Sequence, residues 1–292
     1  MTLPRRRFLA ISAAFAAMPA GAAQAHSWEG FAFGAQVSLR MQGPKAQALT
    51  ALNEARVLIA KLEELFSLYN PNSTLSVLNR TGTLTAPDAL FMDLIRAADT
   101  AFTQSGGLFD PTVQALWSAV SHGQDTTPAI AAMGWEKVQV VADRITLGPA
   151  QTLTLNGIAQ GYATDLIADM LITHGFTDTL VNIGEFRGTG GPFTLGLSDP
   201  LHGVMGQRTL SGGAIATSSP AATMLGEQGH ILHPSARAKW STVSVEAARA
   251  TVADSLSTAM VLAPRSQVQA IKERADITRV TLVDFAGNLT TL

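Results

Sequence analysis

The chain has 292 residues, 47% of them hydrophobic and 14% charged, enough for one globular domain or two closely packed lobes. It contains no cysteine, which excludes disulfide staples and a lipoprotein anchor. A formal charge of −2 and a pI near 6.3 offer no basic field for nucleic acid, and that partner class is set aside.

The first 25 residues read as an export signal. Arg5, Arg6 and Arg7 precede a short apolar stretch, and Ala23-Gln24-Ala25 is a small-x-small cleavage site. Arg5-Arg6-Arg7-Phe8-Leu9 has the form of a twin-arginine signal, and the apolar run is too short to span a bilayer. A weakly hydrophobic general-secretion signal or a retained N-terminus is the alternative. Cleavage after Ala25 removes three arginines and no acid, which takes the charge from −2 to −5. The expectation is a periplasmic domain over residues 26–292 with no transmembrane segment.

That domain reads as α+β, because strands and helices neither alternate strictly nor segregate. Residues 36–41 predict a strand. Pro44 starts a helix with Leu52, Ala55, Ile59, Leu62 and Phe66 at helical spacing, and Asn70-Pro71 stops it. Pro87-Asp88 opens a second helix bearing Leu90, Leu94, Ala98 and Ala101, with Gly106-Gly107 as its C-cap. A short helix follows at 129–133. Short strands are expected at VQVV (138–141), ITLG (145–148) and TLTL (152–155). A third long helix runs from Ile158 to His174, capped by Gly175. Strands near 179–184, 193–198 and 241–246, helices near 252–262 and 265–273, and a hairpin around Phe285–Asn288 complete the chain.

Polar, glycine-rich stretches recur at the junctions of these elements: SLYNPNSTLSVLN (67–79), GGLFDPTV (106–113), LNGIAQGYATD (155–165), LVNIGEFRGTG (180–190), AIATSSP (214–220) and GHILHPS (229–235). Any one of them is what an ordinary turn needs. In LNGIAQGYATD, Gly157 and Gly161 open the backbone at the first turn of a helix, where N–H groups and the dipole favour phosphate. The spacing is neither the dinucleotide fingerprint nor a Walker loop, and a glycine that packs a helix against its neighbour fits it equally well.

VADSLSTAM (252–260) carries more. On a helix, Asp254 and Thr258 are i,i+4 and share a face. With Ser257 and a loop carbonyl they make the hard oxygen set that Mg²⁺ prefers. The flanking Ala, Val, Leu and Met bury this helix, and a buried Asp needs a metal or hydrogen bonds to satisfy it. The six histidines show no zinc spacing. His230, in a turn-like loop, is either a packed residue or a general base.

Taken in order, FAFGA (31–35), SLYNPNSTLSVLN, GGLFDPTV, LNGIAQGYATD, LVNIG, AIATSS, GHILHP and ADSLSTA resemble the successive signatures of the ApbE family, the FAD:protein FMN transferases. The resemblance runs from about residue 30 to about 262. It implies a mixed sheet with helices and a flavin-nucleotide cleft between two packed lobes. The implied activity is Mg²⁺-dependent: FAD, as substrate, is split at its pyrophosphate, FMN is attached to a Thr or Ser of an acceptor flavoprotein, and AMP leaves. On the family's pattern Gly157, Asp254, Ser257 and Thr258 fall at the metal. Phe33, Tyr69, Phe109, Asp110, Thr154, Asn156, Gln160 and Ile231 fall around FAD, and His230 falls at the base for the acceptor hydroxyl.

The export signal and the LNGIAQGYATD and NIGE variants resemble the NosX-type branch that serves nitrous-oxide respiration, whose acceptor would be a NosR-type membrane flavoprotein. The chain departs from the family at six places: Thr154 for the usual Asp, Asn156 for Gly, Gln160 for Lys or Glu, Glu185 for Gly, His233 for Asp and Phe33 for Met. An FAD pyrophosphatase, with water in place of the acceptor, and a non-catalytic flavin-binding protein remain as alternatives.

Overall fold

The computed structural model describes residues 24–292, so the arginine pattern and apolar stretch of the export signal lie outside the described residues. In chain order the elements are β1 (Ala25–Ala32), β2 (Ala35–Gln42), α1 (Lys45–Phe66), α2 (Thr74–Thr81), β3 (Thr83–Thr85), α3 (Ala89–Ser105), α4 (Gln114–Ser121), α5 (Thr127–Ala132), β4 (Gln139–Val141), β5 (Arg144–Thr146), α6 (Ala159–Thr173), β6 (Thr179–Asn182), β7 (Phe186–Thr189), β8 (Phe193–Asp199), β9 (Gly203–Leu210), β10 (Gly213–Ser218), β11 (Met224–Leu225), β12 (Gln228–Gly229), β13 (Thr242–Ala247), α7 (Ala250–Met260), α8 (Arg265–Arg274), β14 (Arg279–Val283) and β15 (Leu289–Thr291). Among the described residues no helix is long and apolar enough to cross a membrane.

Eight strands form one sheet in the order β1-β2-β6-β7-β10-β13-β14-β15, and every neighbouring pair is antiparallel. The α+β expectation therefore holds. All of α1–α5 is inserted between β2 and β6, which are sheet neighbours. One core gathers Val37, Leu39 and Met41 of β2 with Ala55, Ile59 and Leu62 of α1, Leu94 of α3 and Ile167 of α6. A second gathers Val243 and Val245 of β13, Leu256 and Met260 of α7, Val268 of α8 and Val280 of β14. These are the two lobes.

Local chemistry explains where the elements differ from the sequence expectation. β1 pairs β2 in full register from Ala25↔Gln42 to Ala32↔Ala35, leaving Phe33 and Gly34 as a two-residue turn. Both have positive φ, 51° and 74°, as a type I′ turn demands. Helix α1 ends at Phe66, ahead of Asn70-Pro71, because the Ser67 hydroxyl accepts the N–H groups of Tyr69 and Asn70 at 3.1 Å each and turns the chain. Helix α2 lies inside the stretch read as polar. Ser73 caps it by accepting the Ser76 N–H at 3.0 Å, Leu75 and Leu78 face the core, and Gly82 closes it at φ 71°.

TLTL (152–155) forms no strand and joins no sheet. The Asn79 side-chain amide grips Leu153 instead, accepting its N–H at 2.7 Å and donating to its carbonyl at 2.8 Å, and Thr154 donates to the Pro111 carbonyl at 2.8 Å. One side chain thus satisfies the groups that a neighbouring strand would otherwise take. β7 and β10, both central in the sheet, lie within stretches read as glycine-rich or polar junctions.

Candidate active site

Helices α6 and α7 start side by side, and each supplies the other's cap. The N–H groups of a helix's first turn have no partner within the helix. Asp254, one turn into α7, accepts the Gly161 N–H of α6 through Oδ2 at 2.8 Å. Asp165, one turn further into α6, accepts the N–H groups of Ala250 and Thr251 at 3.0 and 2.9 Å and the Thr251 hydroxyl at 2.6 Å. Asp165 is fully buried and also meets Arg187 at 3.0 Å and Arg249 at 3.2 Å, which in turn each hold Asp169 at 2.8 Å. The approach is close enough that a Cβ on Gly161 would stand 2.3 Å from the Ala250 carbonyl oxygen and 2.7 Å from Asp254 Cβ. Gly161 is therefore the glycine that packs a helix against its neighbour and does not face the cleft. Gly157 does face it: a Cβ there would lie 3.1 Å from Thr258 Oγ1 and 3.3 Å from Phe109.

This junction forms the floor of a cleft of about 310 Å³ lined from both lobes. Its polar lining includes Thr154, Asn156, Gly157, Gln160, Glu185, Thr217, Ser218, His230, Asp254 and Thr258, and its apolar lining includes Tyr69, Phe109, Trp117, Ile231, Leu232 and Leu262. Among the described lining residues there are three carboxylates, Asp110, Glu185 and Asp254, and no Lys or Arg.

The structure thus brings Tyr69, Phe109, Asp110, Thr154, Asn156, Gly157, Gln160, His230, Ile231, Asp254 and Thr258 to one cleft. It does not bring Phe33 or Ser257 there. Phe33 occupies the β1–β2 turn, donates its N–H to Glu63 Oε1 at 2.9 Å and packs on the core of the first lobe. Ser257 is fully buried behind the lining: its Oγ is 2.8 Å from Ser218 Oγ and donates to the Asp254 carbonyl at 3.0 Å. Ser218 Oγ is in turn 3.2 Å from Thr258 Oγ1, and Ser257 props the cleft from behind.

Charge on the lining is set by burial. Asp254, 4% exposed, is pushed up from 3.8 to about 7, chiefly by desolvation, against the pull of the Gly161 N–H, with Asp165 adding repulsion. Glu185, 8% exposed, is held well above the ordinary carboxylate range by desolvation and then by the charge of Asp254. Its Oε2 accepts the Thr217 N–H at 3.1 Å. Burial also raises Asp110, whose Oδ1 accepts the Thr112 N–H and hydroxyl at 2.8 and 2.7 Å. His230 Nδ1 lies 3.0 Å from the Pro220 carbonyl and 3.3 Å from that of Thr223. A carbonyl only accepts, so the proton sits on Nδ1 and Nε2 is the basic nitrogen. His233, outside this cleft, accepts the N–H groups of Ser235 and Ala236 through Nδ1 at 3.2 Å each, the turn-capping work of an Asp oxygen.

Trp117, Thr217, Ser218 and Glu185 also line the cleft, outside the residues that the sequence pattern points to. Glu185 drew notice only as a departure from a glycine. The signal for Ser218 was the Ser-Ser of AIATSSP, which sits at the end of a central strand.

The fold is that of the flavin transferases. It superposes on the flavin transferase ApbE from Vibrio cholerae with a TM-score of 0.80 at 21% identity, over 92% of this chain and 97% of that one. The apo form of Pseudomonas stutzeri flavinyl transferase ApbE gives 0.80 at 23% identity, over 94% and 96%. The ApbE protein from Thermotoga maritima gives 0.81 at 24%, over 91% and 96%. A curated relative, the FAD:protein FMN transferase of Klebsiella pneumoniae (strain 342), is 27% identical over 202 residues, 61% of this chain. That match spans 63% of the relative's length. Residues 33–281 match the ApbE family, and the chain belongs to it.

Proposed function

We propose that the protein splits FAD at its pyrophosphate and transfers FMN to a Ser or Thr hydroxyl of an acceptor protein, releasing AMP, with Mg²⁺ held in the cleft. Family membership supports the transfer. The single observation that supports the metal is the lining: three carboxylates and no Lys or Arg among the described residues. When ionised, such a wall repels a diphosphate unless a divalent cation stands between them. Asp254, the Thr258 hydroxyl and the backbone at Gly157 offer hard oxygen, the donor set that Mg²⁺ takes. Asp254 Oδ1 has no hydrogen-bond donor among the described residues, while Oδ2 is fixed by Gly161. When bound, Mg²⁺ neutralises charge that builds on the bridging and leaving oxygens.

The chain's own residues do the rest. Phe109, Tyr69 and Trp117 give flat aromatic faces, and Ile231 an aliphatic one, for the ring system of the substrate. Gln160 Nε2 is buried with no acceptor among the described residues, and a phosphate oxygen would satisfy it. His230 Nε2 takes the proton of the acceptor hydroxyl as its oxygen attacks the FMN-side phosphorus. The new P–O bond forms as the pyrophosphate P–O bond breaks, and AMP leaves with the electron pair.

Arg5–Leu9 and the small-x-small site behind them support export by the twin-arginine route, and with it a periplasmic site of action. A membrane flavoprotein of nitrous-oxide respiration, of the NosR type, is the acceptor that fits this placement. Incubation of the mature chain with FAD, Mg²⁺ and that acceptor tests the proposal. A fluorescent acceptor band after denaturing electrophoresis supports it. Free FMN and AMP without labelling make the protein a pyrophosphatase, and unchanged bound FAD makes it a binding protein.

A further inference from the structure

We infer that Glu185 is a second carboxylate ligand of the divalent cation, sharing it with Asp254. The inference rests on the cation reading of the cleft proposed above and adds to it a residue at a position where glycine was expected. Glu185 lies in the tight connection between β6 and β7 and is built into place. Its carbonyl accepts the Thr164 hydroxyl at 3.1 Å, and its Oε2 accepts the Thr217 N–H at 3.1 Å. The ladder between β7 and β10 stops at Phe186↔Ile215, and beyond it the carboxylate of Glu185 takes the strand N–H in place of a backbone partner.

The next residue of β10 after Thr217 is Ser218, whose hydroxyl touches Thr258. Two consecutive residues of one strand therefore hold Glu185 and Thr258 at the same end of the cleft, and Asp254 stands one helical turn before Thr258. Glu185 Oε1 has no donor among the described residues, although the side chain lines the cleft and is only 8% exposed. Two buried carboxylates, each with one oxygen fixed by a backbone N–H and the other without a partner among the described residues, can both be ionised only when a cation stands between them. The guanidinium groups of Arg187 and Arg249 are committed to Asp165 and Asp169.

The test is Mn²⁺ binding, followed by electron paramagnetic resonance on the purified, nucleotide-free protein. Glu185→Gln keeps the acceptor for Thr217 and is expected to weaken Mn²⁺ on the order of 10- to 100-fold, with unchanged near-ultraviolet circular dichroism. Asp254→Asn is expected to lose the site. Glu185→Asp keeps the charge on a shorter stem and should bind more tightly than the Gln variant, and it stands in for that variant should the latter not fold. Wild-type affinity in Glu185→Gln, alongside lost binding in Asp254→Asn, overturns the inference and leaves the cation reading standing. Undiminished binding in Asp254→Asn, or none in the wild type, overturns both.

Discussion

Asp165 and Asp254 trade places: each sits on one helix and caps the first turn of the other. The exchange joins two helices distant in sequence with short bonds, and it aims the Asp254 carboxylate into the cleft. Replacing Asp165 with Ala would leave Arg187 short of a buried partner and strip the caps from Ala250 and Thr251. The expected cost is about 3–5 kcal/mol, read as a lowered urea midpoint. An unchanged midpoint would show that the network adds nothing to stability.

Gly161→Ala retains the N–H that Asp254 accepts but inserts a methyl group 2.3 Å from the Ala250 carbonyl oxygen. The neighbour is backbone and cannot swing aside, so α6 and α7 must part. A loss of about 1–3 kcal/mol in stability is expected, with a larger proportional loss of FMN transfer. Retained transfer in a destabilised variant would mean that the chemistry tolerates a looser helix pair.

Without metal, Asp254 should make the fold sensitive to pH. Its carboxyl titrates near 3.8 in the unfolded chain and at about 7 when folded, so between those values the folded chain binds more protons. Stability therefore falls as pH rises through that window and levels off above about 7. Asp254→Asn removes this contribution, and the difference between the two proteins, followed by urea unfolding in chelator from about pH 5 to about pH 8, isolates it. Parallel profiles would remove the assignment. Added Mg²⁺ should flatten the wild-type profile, because a cation favours the ionised carboxylate.

His230→Gln should slow FMN transfer by about 10²- to 10⁴-fold, the range for removing a general base. FAD affinity, measured by flavin fluorescence, should change little, because the basic nitrogen acts on the acceptor hydroxyl. Equal losses in both quantities would assign His230 to substrate binding.

Much of this was written plainly in the sequence. α1, α3, α6 and α7 carry apolar residues at helical spacing, and α3 also has its cap residues Asp88 and Gly106. The Asp254/Thr258 pair was visible because i,i+4 spacing survives any detail of packing. What was hidden depended on contacts across the chain. β10 is short and built from Gly, Ala, Ile, Thr and Ser, and its central place comes from neighbours on both sides. Gly157 and Gly161 looked alike as glycines of one motif, yet one meets Thr258 in the cleft and the other meets the next helix. Phe33 carried a family resemblance to the flavin site, while its positive φ fixes it in a hairpin turn. Nothing local distinguishes Glu185 from a surface acid in a loop. Only its place at the ends of the central strands β6, β7 and β10, which bury it, does that.

The insertion of five helices between two sheet neighbours has a kinetic consequence. Ser38 must find Asn182, and Asp254 must find Gly161 across a separation of 93 residues, before either lobe is complete. Contacts so far apart in the chain raise the entropy cost of the folding nucleus and slow its formation. A ribosome-bound chain arrested before α7 would lack Asp254 and Thr258, and with them half of the catalytic centre, so competence arrives late and all at once.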